Sequence, residues 1–291
     1  MPVRYRSPEE DNARWDAFRF RDGDIVISTR SKHGTTWMQM ICALLVLGTA
    51  DLPSPLPALS PWLDWTAHPL DRVLTALQAQ PHRRFVKTHT PLDGLPLDLR
   101  ACYVVVARHP LDAAVSLYHQ GANIDRRRLA ELTGQPLQQR PPRPPAADWL
   151  ADWSLRDDPP ADFLDEPPGV LHHLTDAWGR RHEPNVVLVH YDDLLDDLDG
   201  SMRVLAGRLG MPVDEACWPA LVEAAGFVEM RRRSVDLAPG TGVLKDPAAF
   251  FRGGRSGDGT ALLTPEQLAH YHANAARLAP ADLLVWLHRG R

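Results

Sequence analysis

A lysine, a glycine and two threonines sit between an apolar run and a helix-patterned segment in Asp24-Ile25-Val26-Ile27-Ser28-Thr29-Arg30-Ser31-Lys32-His33-Gly34-Thr35-Thr36-Trp37. That order builds a cradle for a phosphate-like anion. Backbone N–H groups at the start of a helix point at the anion, and the helix dipole favours negative charge there. Lys32 adds a mobile cation, Gly34 lets the backbone approach, and Thr35 and Thr36 add hydroxyl donors. The loop does not read Gly-x4-Gly-Lys-Ser/Thr, because its lysine precedes its glycine. The plain alternative is an ordinary strand-to-helix turn with a surface lysine.

Four more clusters carry chemistry. Phe85-Val86-Lys87-Thr88-His89-Thr90-Pro91 puts a histidine that can take a proton near neutral pH beside a lysine that can stabilise charge on a leaving group. Tyr103-Val104-Val105-Val106-Ala107-Arg108-His109-Pro110 ends an apolar run on an arginine. A proline follows where a helix can start, which suits an anion. Ser116 reaches the same ligand as Arg108 only if that helix runs past it; otherwise it is a helix-surface residue. Tyr191, in Val189-His190-Tyr191-Asp192-Asp193, either bonds a base or ribose or covers the sheet edge. The glycine-rich Phe250-Phe251-Arg252-Gly253-Gly254-Arg255-Ser256-Gly257-Asp258 suits a second phosphate, or is a flexible basic loop.

These clusters need a frame to hold them. Ile25–Ser28, Arg84–Lys87, Cys102–Ala107 and Val186–His190 are short apolar runs, β-branched or aromatic in part, that read as buried parallel strands. Helical stretches separate them, among them Trp37–Leu47 and Leu111–Tyr118, and a helix over Ser201–Leu209 follows the last. Strands alternating with helices predict a single α/β domain over residues 1–291, a central parallel sheet flanked by helices. Ligands on such a sheet gather at the carboxyl ends of its strands, and the first four clusters each follow a strand directly. Residues 135–168 are rich in proline and charge, as in Arg140-Pro141-Pro142-Arg143. They read as a surface insertion, a lid or a loose loop, with a short helix near Trp149–Trp153.

Bulk properties exclude several classes. A net charge of −5 gives no general reason to expect nucleic-acid binding, so an anion site must be a local basic pocket. Cys42, Cys102 and Cys217 are sparse and odd in number, which fits a reducing cytoplasm rather than a disulfide framework. No CxxC or HExxH spacing suggests a metal, and no run approaches the roughly 18 apolar residues of a membrane span.

Taken together, the clusters resemble the cytosolic-type sulfotransferase family, whose donor is 3′-phosphoadenosine 5′-phosphosulfate. Lys32-His33-Gly34-Thr35-Thr36-Trp37 is similar to its phosphosulfate loop, a P-loop-like strand–loop–helix, and Lys87-Thr88-His89 to its Lys-Thr-His. Arg108 through Ser116 resembles its 3′-phosphate element. Tyr191-Asp192-Asp193 resembles its Tyr-Glu-Asp, Phe227-Val228-Glu229-Met230 an adenine-side segment, and Phe251-Arg252-Gly253-Gly254 its C-terminal phosphate loop. The matches keep family order from about Asp24 to Tyr271.

The resemblance implies that His89 deprotonates the acceptor, and that Lys32 and Lys87 hold the phosphosulfate and stabilise the leaving phosphate. It implies that Trp37, Tyr191 and Phe227 contact the adenine, and that Arg108, Ser116 and Arg252 bind the 3′-phosphate. It also implies that no metal is needed and that the acceptor is a small molecule or lipid, with a glycolipid or natural-product hydroxyl as candidates. Phe20, Trp62, Trp65 and Phe85 either line an apolar acceptor pocket or pack the core. This chain departs from the pattern at His33, where serine is usual; at Gly253, where lysine is; at Gly259, where tryptophan is; and at Ala225 and Gly226, where threonine and serine are. The family's dimer motif is not kept, so oligomeric state does not carry over. The rivals are a P-loop nucleotide kinase or NTPase and a non-catalytic nucleotide-binding relative.

Overall fold

Four parallel strands form the centre of the protein in a computed structural model that describes residues 1–137 and 141–289. They are β1 (Ile25–Ser28), β2 (Phe85–Thr88), β3 (Cys102–Ala107) and β4 (Val186–His190), hydrogen-bonded in the order β2-β1-β3-β4. All run the same way: Ser28 pairs with Thr88 and with Val105, and Ala107 with His190. The residues that leave these strands therefore emerge along one edge.

β1, β2 and β3 are buried along their whole length, because both faces are covered. Successive side chains point to opposite faces and split into two cores. Val26, Val86, Tyr103 and Val105 join one core with Trp15, Leu171 and Leu283. Ile25, Ile27, Phe85, Val104 and Val106 join the other with Met38, Ile41 and Leu205. The helices Pro167–Gly179, Pro265–Leu278 and Ala281–His288 contribute to the first, and Thr35–Leu47 and Leu198–Arg208 to the second.

The second strand starts one residue later than its apolar run suggests. Arg84 precedes the first pairing position; its carbonyl accepts from Ile25 N at 2.9 Å, its guanidinium clamps the buried Asp24 carboxylate with Nε 2.8 Å from Oδ1, and Thr88 takes the last pairing position. The first helix begins at Thr35, two residues before the apolar pattern, and the helix after β3 runs on to Asn123. The proline-rich segment is packed where it is described. Its helix Ala146–Ser154 sends Leu150 and Trp153 into the core, and Trp153 Nε1 donates to Asp165 O at 3.0 Å. Arg140 lies outside the described residues.

Cys42 and Cys102 are buried, and none of the three cysteines is in a disulfide. Among the described residues no helix is long and apolar enough to cross a membrane, and no three His, Cys, Asp or Glu side chains are grouped to hold a metal.

Candidate active site

The loop after β1 turns sharply to start its helix. Lys32 adopts φ +66°, uncommon for a residue with a side chain, and Gly34 adopts φ +102° as the helix N-cap. A Cβ on Gly34 would also stand 3.0 Å from the Tyr191 ring, so glycine is required twice over. The Thr35 and Thr29 hydroxyls bond each other and tie the turn shut.

Lys32 Nζ rests 3.8 Å over the Phe250 ring. Burial pushes its ammonium down to about 7, and the positive charges of Arg108, Lys87 and Arg252 push the same way. Lys87 Nζ lies 4.0 Å over the Trp62 ring, and burial lowers it to about 8 against the pull of Glu10 and Asp64. Lys32 is thus crowded by other cations, whereas Lys87 faces two carboxylates.

His89, directly after β2, is buried. Its Nδ1 lies 2.5 Å from Thr29 O, a carbonyl that can only accept. Nδ1 therefore carries the proton and Nε2 the lone pair. Burial, then Lys87 and Arg30, hold the imidazole well below its ordinary value, so it is neutral. The turn around it is fixed by the buried Asp64, which accepts from Thr88 Oγ1 at 2.5 Å and Thr90 Oγ1 at 2.6 Å.

Arg108, after β3, lies 4.3 Å over the Tyr191 ring and donates to Lys32 O at 3.3 Å and Arg255 O at 2.9 Å. It thus ties its own cluster to three of the others. Tyr191 begins a helix after β4 and meets Trp37 edge to face at 5.1 Å, while Trp37 Nε1 donates to Ala225 O at 2.8 Å. Gly254 adopts φ +61° beneath Phe227, where a Cβ would come within 2.6 Å of the ring.

The glycine-rich loop is fastened by two carboxylates. Asp112 accepts from Gly257 N at 2.9 Å and Gly259 N at 2.7 Å, and Asp192 accepts from Ser256 Oγ at 2.5 Å. A Cβ on Gly259 would fall 2.4 Å from the Leu111 backbone, so the tryptophan usual in the related loops has no room.

One cavity of about 300 Å³ collects Lys32, Gly34, Thr35, Thr36, Trp37, Lys87, His89, Arg108, Ser116, Tyr191, Phe227, Arg252, Gly253 and Gly254. Ser116 shares it with Arg108 because the helix does run past the strand end. His33 does not line it. It is buried behind the loop with Nδ1 3.0 Å from Ser31 O, and burial pushes it down to about 4.

Trp62 and Trp65 line the cavity, whereas Phe85 is core and Phe20 packs against the opposite core. Sequence reading missed Glu10 and Asp165 in the wall. Glu10 arrives through a bridge to Trp65, and Asp165 is held by Arg30 Nη2 at 2.7 Å. No motif marks either residue; the only signal was charge in segments otherwise read as surface.

The family model described as a sulfotransferase domain matches residues 22–278. A glycolipid sulfotransferase of Mycobacterium bovis is 42% identical over 314 aligned positions, covering 99% of this chain and 95% of the relative. Retinol dehydratase, solved with androsterone and the inactive cofactor PAP, superposes with a TM-score of 0.63 at 21% identity, over 88% of this chain and 80% of that one. A mouse sulfotransferase complexed with PAP gives the same TM-score at 19% identity, over 96% and 89%. With these two structures the likeness is one of fold.

Proposed function

The chain belongs to the sulfotransferase family and is an enzyme that transfers sulfuryl groups; on that premise we propose that it takes the group from 3′-phosphoadenosine 5′-phosphosulfate and passes it to a hydroxyl of a lipid or glycolipid. The observation that carries the donor is the set of cations around one cavity. Lys32 is depressed first by burial and then by Arg108, Lys87 and Arg252, and all four cations line the one cavity, which supports a site built for an anion. The loop glycines and the start of the helix at Thr35 add backbone donors to those side chains.

In this reading Lys32, Thr35 and Thr36 hold the 5′ phosphosulfate, while Gly253 and Gly254 let the loop backbone close on the nucleotide. Trp37, Tyr191 and Phe227 flank the adenine, and Arg108, Ser116 and Arg252 take the 3′-phosphate. Bound there, the donor supplies a sulfuryl group and a nucleotide bisphosphate that leaves. His89 Nε2 receives the proton of the acceptor hydroxyl, since its other nitrogen is committed to Thr29 O. Lys32 and Lys87 face the negative charge that grows on the leaving phosphate oxygen. Such a displacement is governed by positioning and charge rather than by covalent chemistry.

The acceptor end of the cavity is different in kind. Trp62, Trp65, Leu117, Ile124 and Leu129 make it apolar, and Glu10 and Asp165 can bond hydroxyls. The mycobacterial relative's name points the same way. Unpaired cysteines support a cytoplasmic setting. An acceptor screen with isotopically labelled donor, read by mass spectrometry, tests the reading. Labelled product from lipid or glycolipid hydroxyls is expected, and transfer confined to small phenols would reject that acceptor class.

A further inference from the structure

A second cavity of about 380 Å³ lies next to the first. The two share Thr36, Trp62, Trp65, Lys87 and Pro239, so they are neighbours across a thin wall. The tryptophan pair, stacked at 5.3 Å with 15° between the rings, forms part of that wall with Thr36, Lys87 and Pro239. Trp62 also touches the His89 ring edge to face at 4.7 Å. A molecule with its reacting oxygen at His89 is therefore already at the partition.

The lining of the second cavity differs from that of the first. Pro55, Pro57, Pro61, Val73, Leu237 and Pro239 give it apolar walls, Gln39, Ser60 and Thr241 add uncharged polar groups, and among the described lining residues there is no carboxylate. Prolines carry no N–H that a hydrocarbon would leave unpaired. Lys87 stands at the shared end, and His68 is held below its ordinary value by burial and then by Arg14. The space suits an uncharged, apolar occupant.

We infer that this cavity receives an apolar chain of the acceptor whose hydroxyl meets His89, the chain passing the Trp62–Trp65 pair. The inference rests on the lipid-acceptor reading above and adds where the chain goes. It makes the Trp pair a fork: the polar head stays with Glu10 and Asp165, and the chain turns away from the nucleotide.

Gly240 gives a clean way to close the cavity. A Cβ there would meet Pro57 Cγ at 3.6 Å, an ordinary contact, across two residues that both line the space. Gly240→Leu should obstruct it between Gly240 and Pro57 without touching His89, which does not line it. The probes are n-alkyl β-D-glucosides from hexyl to nonyl, assayed with the nucleotide donor. For the wild-type enzyme KM should fall about fourfold per added methylene, the ~0.8 kcal/mol of one buried CH2, with kcat flat. In Gly240→Leu that dependence should disappear, while hexyl glucoside turnover stays within about twofold of wild type, the range of an uncoupled surface change.

Equal chain-length dependence in the two proteins, or none in wild type, overturns the inference. If no glucoside is sulfated, binding of nonyl glucoside in the presence of 3′,5′-adenosine bisphosphate is read by tryptophan fluorescence. Binding that Gly240→Leu weakens keeps the cavity assignment and rejects the glucosides as acceptors. Absent or Gly240-insensitive binding rejects the cavity assignment itself.

Discussion

Trp62 stands edge-on to His89 with ring centroids 4.7 Å apart, and its face carries the Lys87 ammonium at 4.0 Å. One indole thus positions both the residue we assign as base and the residue we assign to the leaving group. Both groups are buried, which keeps the imidazole neutral, with Lys87 and Arg30 adding to the effect, and leaves the lysine less basic than usual.

His89→Ala should therefore lose about 10²–10⁴-fold in kcat, the usual contribution of a general base. The affinity for 3′,5′-adenosine bisphosphate should hold, because His89 is committed to Thr29 O and not to the anion cradle. Single-turnover kinetics alongside calorimetric titration separates the two effects. Near wild-type turnover on every acceptor would show that the base is elsewhere.

Nucleotide binding should take up a proton. Lys32 is pushed down to about 7 by burial and by neighbouring cations, so above pH 7 it is largely neutral in the free enzyme. A bound anion favours the ammonium and raises its pKa. Affinity should then fall as pH rises above 7, and calorimetry in buffers of different ionisation enthalpy should show the uptake. Lys32→Arg keeps the charge at all these pH values and should abolish most of the uptake. Uptake unchanged in that variant would assign it to another group.

Arg108→Ala should narrow the preference for the 3′-phosphate. Arg108 is oriented by Tyr191 and by the carbonyls of Lys32 and Arg255, leaving it poised over the cavity. Charged hydrogen bonds of this kind contribute about 1.5–3 kcal/mol, or roughly 10–100-fold in Kd. The loss should appear with 3′,5′-adenosine bisphosphate and be small with adenosine 5′-monophosphate. An equal loss with both would place Arg108 at the 5′ end.

The sequence made the cation side of this cavity legible and the acceptor side much less so. Lys32, His89, Arg108 and Tyr191 each follow a short β-branched run, and a parallel sheet must align the ends of such runs. Local pattern was enough to place them. Glu10 and Asp165 reach the cavity through a bridge to Trp65 and a bond to Arg30, contacts between segments far apart in the chain that no local period encodes. His33 shows the opposite limit. It sits inside the motif, yet the turn at Lys32 and Gly34 sends its ring inward to Ser31 O. Phe20 and Phe85 matched the pocket by type only and are used in packing.

Glu10 should set part of the alkaline limb of the pH profile. Burial pushes its carboxyl up to about 8; Arg30 opposes the shift, and Asp64 and Asp165 reinforce it. Below pH 8 the group is neutral and can donate to an acceptor hydroxyl. Above pH 8 it becomes an anion in a cavity that must hold an anionic donor, so kcat/KM should fall. Lys87 also loses its proton near 8, and Glu10→Gln distinguishes the two. If the limb moves to higher pH in the variant, it belongs to Glu10; if it moves to lower pH, it belongs to Lys87, which loses the pull of the Glu10 carboxylate.

The stability sign gives an independent check. The folded pKa lies above the ordinary 4.5, so between pH 4.5 and 8 the unfolded chain has released a proton that the fold retains. Stability therefore declines across that window and levels off above it. Glu10→Gln should raise Tm relative to wild type at pH 8 and make little difference at pH 4. A Tm difference that does not change with pH would mean that Glu10 titrates as an ordinary surface carboxylate.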